Sequence, residues 1–178
     1  MLARPKISVA MSLLSISGIL FVAMPFGPAR GATVLAASPE QQIRLSSTPT
    51  RVIIASAKPA LERQTRELAE GQHILLVVEG LSAALVPGAS YDVYLGPEGG
   101  PHPPSRDDPG YAGTLNFYNI SASTPETGRA VSFDVTSVLA RLLKSGDINR
   151  PLAVTFVPDA PPQANSEPAV QRLKLITP

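Results

Sequence analysis

The sequence predicts an all-β protein, an antiparallel β-sandwich of about seven strands with one short helix. Three observations predict it. Short runs rich in Val, Ile, Tyr and Phe recur from Arg51 onward, divided by Gly- and Pro-rich turns. Val131, Phe133 and Val135 alternate with Ser132, Asp134 and Thr136, the period of two that marks a half-buried strand. The chain has no cysteine, so no disulfide staples it and an apolar core must hold it together.

The elements follow in order. Residues 1–36 read as a signal peptide: Arg4 and Lys6, an apolar run from Ile7 to Phe26, then small residues. Ala29-Arg30-Gly31 and Val34-Leu35-Ala36 both offer a small-residue exit, and the boundary is set after Ala36. Pro25 and the Gly/Ala-rich exit suit cleavage, whereas an uncut run of this length would anchor the chain in a membrane. Either way the basic start stays inside and the rest crosses. The expected location is therefore secreted or periplasmic, or membrane-anchored if the signal is uncleaved. No cysteine offers a lipid attachment site, and no twin-arginine pair is present.

Removing residues 1–36 takes away Arg4, Lys6 and Arg30 and no acid, so the formal charge moves from +1 to −2. That argues against nucleic acid as a partner, which needs a basic face. The remaining chain, about 140 residues long, is enough for one domain that buries roughly 68–70% of its unfolded surface.

Residues 37–49 are polar and read as a flexible lead-in, with the domain proper over 50–178. Arg51–Ala57 (RVIIASA) is the first expected strand. Pro59–Gly71 suits either one or two turns of helix or a charged loop, since its apolar positions define no face. His73–Val78 is an unbroken apolar run whose length favours a buried strand. In Tyr91–Leu95, Tyr91, Val93 and Leu95 share one face and Asp92 and Tyr94 the other. The loop Gly96–Gly110 carries five prolines and should be stiff and exposed.

Tyr111–Asn119 is the next strand, with Tyr111, Gly113, Leu115 and Phe117 on one side. Gly113 within it signals a bulge or a close backbone approach. Val131–Val135 leads into a helix that Thr136 or Ser137 can cap and Gly146 can end. Leu152–Val157 and Val170–Ile176 are the last strands, separated by a second proline-rich loop.

Chemistry-bearing groups are few. The chain has two histidines. His73 reads as a strand-end or core residue. His102 lies near Asp107 and Asp108, a set that suits a metal, although the loop reads more simply as solvated. No Gly-x-Ser-x-Gly elbow or phosphate-cradling loop is present. Asn119-Ile120-Ser121 is a formal glycosylation sequon. Tyr91, Tyr94, Tyr111 and Tyr118 offer either a stacking platform for sugar rings or ordinary core and edge packing. The residues expected at a partner or ligand surface are Tyr94, His102, Arg106, Asp107, Asp108 and Tyr118.

Five segments together carry a resemblance: YDVYLG (Tyr91–Gly96), YAGTLNF (Tyr111–Phe117), DVTSVLARLLKSGD (Asp134–Asp147), LAVTFVP (Leu152–Pro158) and VQRLKLI (Val170–Ile176). In this order they resemble the C-terminal domain of plant polyphenol oxidases and related bacterial tyrosinases. The resemblance implies a β-sandwich that packs on a type-3 copper oxidase domain and can shield its copper pocket. The histidine triads of that centre belong to a separate helical domain, and two histidines cannot build it. The expectation is a non-catalytic exported module with no cofactor of its own. It would be an accessory, shielding or partner domain for a separately encoded type-3 copper oxidase in trans. The alternative is an extracellular binding module for carbohydrate or protein.

Overall fold

A computed structural model describes residues 31–56, 58–68, 70–100, 105–118, 120 and 129–178. The expected antiparallel, strand-dominated fold is present. All seven expected strands form, and three short ones join them. In chain order the elements are β1 (Thr33–Ala37), β2 (Ile43–Arg44), β3 (Thr50–Ser56), α1 (Lys58–Arg66), β4 (Leu75–Leu81), β5 (Tyr91–Pro97) and β6 (Tyr111–Leu115). After these come β7 (Arg129–Asp134), α2 (Thr136–Ser145), a 3-10 turn (Asp147–Asn149), β8 (Leu152–Pro158), β9 (Ala169–Val170) and β10 (Arg172–Thr177).

Eight strands make one antiparallel sheet in the order β6-β5-β8-β3-β1-β10-β4-β7, and β2 pairs with β9 apart from it. The sheet curls until its end strands, β6 and β7, touch. Both halves thereby face one core, which includes Ile54, Leu76, Val78, Val93, Leu95, Leu115, Val154, Phe156, Leu173 and Leu175. Each fully buried Leu, Ile or Phe of this kind contributes roughly 1.5–3 kcal/mol.

Strand register puts both helices at one end of the curled sheet. α1 follows the C-terminal end of β3, and α2 follows that of β7. The 3-10 turn leads into β8 beside the end of β5. Leu61, Val138, Leu139 and Ile148 plug that end from these elements. The helical option for Pro59–Gly71 is thus realised, because one leucine, Leu61, is wholly buried against α2 and the turn.

Three sequence expectations change. Residues 37–49 carry β2, and Ile43 and Leu45 join the core. β1 takes in Thr33–Ala36, residues that the sequence places in the leader. Thr136 does not cap α2: its backbone N–H donates to Asp134 Oδ1 at 2.9 Å, while its hydroxyl accepts from Ile74 N–H at 2.9 Å. The C-terminal end is as expected, with Gly146 at φ +79° and its N–H bonded to the Leu143 carbonyl.

The closure of the sheet turns on Gly113. Its φ is +150°, and a Cβ at this position would stand 2.6 Å from the Phe133 ring of β7. Gly113→Ala is therefore expected to cost about 2–4 kcal/mol, from backbone strain and overpacking together. Denaturant unfolding reads this out, and adding Phe133→Leu should recover part of the loss. An unchanged midpoint for Gly113→Ala would mean that this contact does not close the sheet.

Candidate functional site

On the β8–β5 wall, Asp92 and Thr155 are buried along with the tyrosines Tyr91 and Tyr94. Asp92 and Thr155 lie in a polar patch on the outer surface of the β3-β8-β5-β6 half. Arg51 pairs with Thr155, Thr155 with Tyr94, and Tyr94 with Tyr111, so these four form one row across four strands. Asp92 and Thr114 form the next row on the same face.

A bulge assembles the patch. Between Val93/Gly113 and Tyr94/Tyr111 the register slips by one residue at Ala112. A one-residue slip moves a side chain to the opposite face. Tyr111, expected beside Leu115 and Phe117, instead packs its ring against Tyr94 at a tilt of 56°, with ring centroids 5.4 Å apart, and bonds Thr114 Oγ1 at 2.8 Å. Tyr91 and Phe117 stay inside, their rings edge to face at 6.0 Å.

The described residues of the long loop close over this face. Arg106 donates from Nε to Asp92 Oδ2 at 2.7 Å and from Nη2 to Oδ1 at 3.1 Å. Thr114 Oγ1 donates to Asp92 Oδ1 at 2.8 Å. The loop is tied down further by Leu95 N–H on the Gly110 carbonyl, Arg51 on the Gly100 carbonyl, and Arg141 of α2 on the Pro109 carbonyl. Burial pushes the Tyr94 phenol up, and the nearby Asp92 carboxylate and Tyr111 add to that. The hydrogen bond to Asp92 raises the Arg106 guanidinium further above its already high value. A cleft of about 60 Å³ remains among Arg51, Tyr94, Gly100, Asp108 and Thr155.

The expected surface residues thus divide. Tyr94, Arg106 and Asp108 come together. Tyr94 was expected to be exposed but is only 5% accessible, because Tyr111 and the loop cover it. Asp108 orders the loop by accepting from Gly110 N–H at 2.7 Å. Asp107 is exposed beside it. His102 lies outside the described residues, and with it the His102–Asp107–Asp108 metal set. Tyr118 is 68% exposed and stands past the other end of β6, where it lines a shallow groove with Val86 and Phe117. The tyrosines therefore do not form one platform. Thr114, Thr155 and Arg51 were missed, and a lone acid, Asp92, beside a tyrosine on the non-core face of β5 was the available signal.

A second polar group sits at the helical end. His73 Nδ1 lies 2.7 Å from Asp134 Oδ2, both about half exposed. The Thr136 hydroxyl and backbone N–H, with a lesser contribution from His73, hold the Asp134 carboxyl below its usual range. The pair clips the start of β4 to the β7–α2 junction. Among the described residues, no three His, Asp or Glu side chains come together as a metal ion would need. No helix among them is long and apolar enough to cross a membrane.

This all-β chain belongs to the family described as "Domain of unknown function (DUF7868)", which matches residues 28–177. No curated protein matches it. Among solved structures it is similar to latent aurone synthase (polyphenol oxidase) from natural source. The identity is 14% and the TM-score 0.42, over 82% of this chain and 26% of that one. It is also similar to the recombinantly expressed latent enzyme, at 15% identity and a TM-score of 0.41 with the same coverage. The chain spans about a quarter of the length of those proteins.

Thr114→Val leaves both Asp92 and the Tyr111 hydroxyl short of a partner and should cost about 1–2 kcal/mol in chemical denaturation. Thr114→Ser should restore most of it, and equal stabilities for valine and serine would rule the network out as a stabilising element. For Asp134, a folded-state pKa below the unfolded one gives stability that is present above the ordinary carboxylate range. That stability is lost as pH falls through the folded value. Because the pair is half exposed, the loss is at most about 1 kcal/mol. An acid titration of the unfolding midpoint should be flatter for Asp134→Asn than for the wild type, and parallel curves would contradict this.

Proposed function

We propose that this chain is an exported, non-catalytic β-sandwich that serves as an accessory, shielding or partner domain for a type-3 copper oxidase made as a separate chain. The observation that carries the reading is the ordered set of segments that resembles the polyphenol oxidase C-terminal domain. In the fold they form one connected body. YDVYLG, YAGTLNF and LAVTFVP are the hydrogen-bonded neighbours β5, β6 and β8. DVTSVLARLLKSGD runs from the end of β7 through α2 to the 3-10 turn beside β5, and VQRLKLI leads through β10.

The state of the polar groups also supports a surface role over a reactive one. Asp92, Arg106, Thr114 and Tyr111 are bonded to one another. The loop residues Arg106, Asp107 and Asp108 are what this wall offers a partner.

The test is reconstitution with the type-3 copper oxidase of the same source organism. The purified chain should elute with it as a stoichiometric complex in size-exclusion chromatography and lower its rate of phenol oxidation. Separate elution and an unchanged rate would overturn the proposal.

A further inference from the structure

We propose that the leader is removed by hydrolysis of the Gly31–Ala32 peptide bond, not after Ala36, which rests on the exported reading above. Ala29-Arg30-Gly31 and Val34-Leu35-Ala36 satisfy the same small-residue rule and cannot be told apart on it. The fold separates them.

β1 is the hydrogen-bonded link between the two halves of the sheet, with β3 on one side and β10 on the other. Thr33 pairs with Thr177, Val34 with Ile176 and Ala36 with Leu175, while Ala36 also faces Ser56 of β3. Leu35 and Ala36 are 7% and 4% exposed and belong to the core. Cutting after Ala36 would remove Thr33, Val34, Leu35 and Ala36 and leave Ala37 alone of that strand. β3 and β10 would then face each other as open edges, with unpaired backbone groups and a gap in the core. The match to the family begins at residue 28, so β1 belongs to the family's domain as well.

Cutting after Gly31 leaves Ala32 and the whole of β1. A signal peptidase adds water across the bond, giving a carboxylate on Gly31 and an amine on Ala32. The same three basic residues depart as with the later cut, so the mature charge remains −2. Space around Gly31 is open, with nothing within 4 Å of where a Cβ would stand, so substitution tests processing without disturbing packing.

The full chain is expressed with its leader in a bacterial host, and the exported product is characterised by intact mass and N-terminal sequencing. The expected first residues are Ala32-Thr33-Val34. Gly31→Leu should accumulate precursor, whereas Val34→Lys, at a half-exposed position, should leave the mature N-terminus unchanged. A folded product beginning at Ala37, or normal maturation of Gly31→Leu, would overturn the assignment while leaving export intact. Full-length chain retained in the membrane would overturn it together with the cleaved-leader reading.

Discussion

Phe133 packs its ring where the side chain of residue 113 would stand, and the closure of the sheet depends on Gly113 having none. Without cysteine, the two end strands are brought together without a disulfide, by packing and by the hydrogen bond from Arg129 to the Tyr118 carbonyl. The same stretch of β6 does a second job. The slip at Ala112 that accompanies the unusual Gly113 backbone turns Tyr111 from the core face to the outer face. One local irregularity therefore sets an inside contact and an outside cluster at once. Bulges concentrate where a side chain must be re-aimed, and here the re-aimed residue covers Tyr94.

The outer cluster explains how a carboxylate can sit at 8% exposure on a sheet wall. A buried charge is tolerated only when it is paired and its lone pairs are filled. Asp92 receives two bonds from Arg106 and one from Thr114. The arginine comes from a loop, so satisfying the acid also fixes the loop. Glu98 N–H on the Pro151 carbonyl and Arg150 on the Glu98 carbonyl fix the other end of the same loop. Prolines limit what this segment can do for itself through backbone bonding, and the tethers come from the sheet, from α2 and from the residues that link the 3-10 turn to β8.

The strands were legible because their pattern is local. Alternation in VSFDVT and apolar continuity in HILLVV located β7 and β4 to within two residues at most ends. β1, β2 and β9 were not legible, for different reasons. β2 and β9 are two residues each and are set by long-range pairing, with each other and, for Ala169, with Ser82. β1 has a strand's composition, but the same residues also suit a small-residue exit, and only its position between β3 and β10 decides. The cap of α2 was misread because Thr136 and Asp134 are both competent to bond a helical N–H. The Thr136 hydroxyl is engaged by Ile74 N–H, the N-cap position falls on Val135 with no side-chain cap, and Asp134 Oδ1 accepts from Thr136 N–H. At the candidate site, period-two reasoning correctly put Asp92 and Tyr94 on one face. It could not see that a distant loop arginine would bury them, since that contact spans fourteen residues and depends on loop shape.

What this architecture offers a partner follows from which faces are already used. Helices close one end, and the tethered loop covers the outer wall of the β3-β8-β5-β6 half. The large exposed apolar side chains among the described residues are Val34, Ile53, Leu85, Val86 and Tyr118. Val86 and Tyr118 share a groove past the end of β6, while Val34 and Ile53 belong to other strands. Single exposed apolar residues are ordinary on a protein surface and do not make a docking patch. The loop wall instead presents Arg106, Asp107 and Asp108, charges of both signs, with Arg106 held by Asp92 and Asp108 by the Gly110 turn. The polar groups of this wall are therefore already oriented by the fold, and any charge attraction they exert is screened by salt.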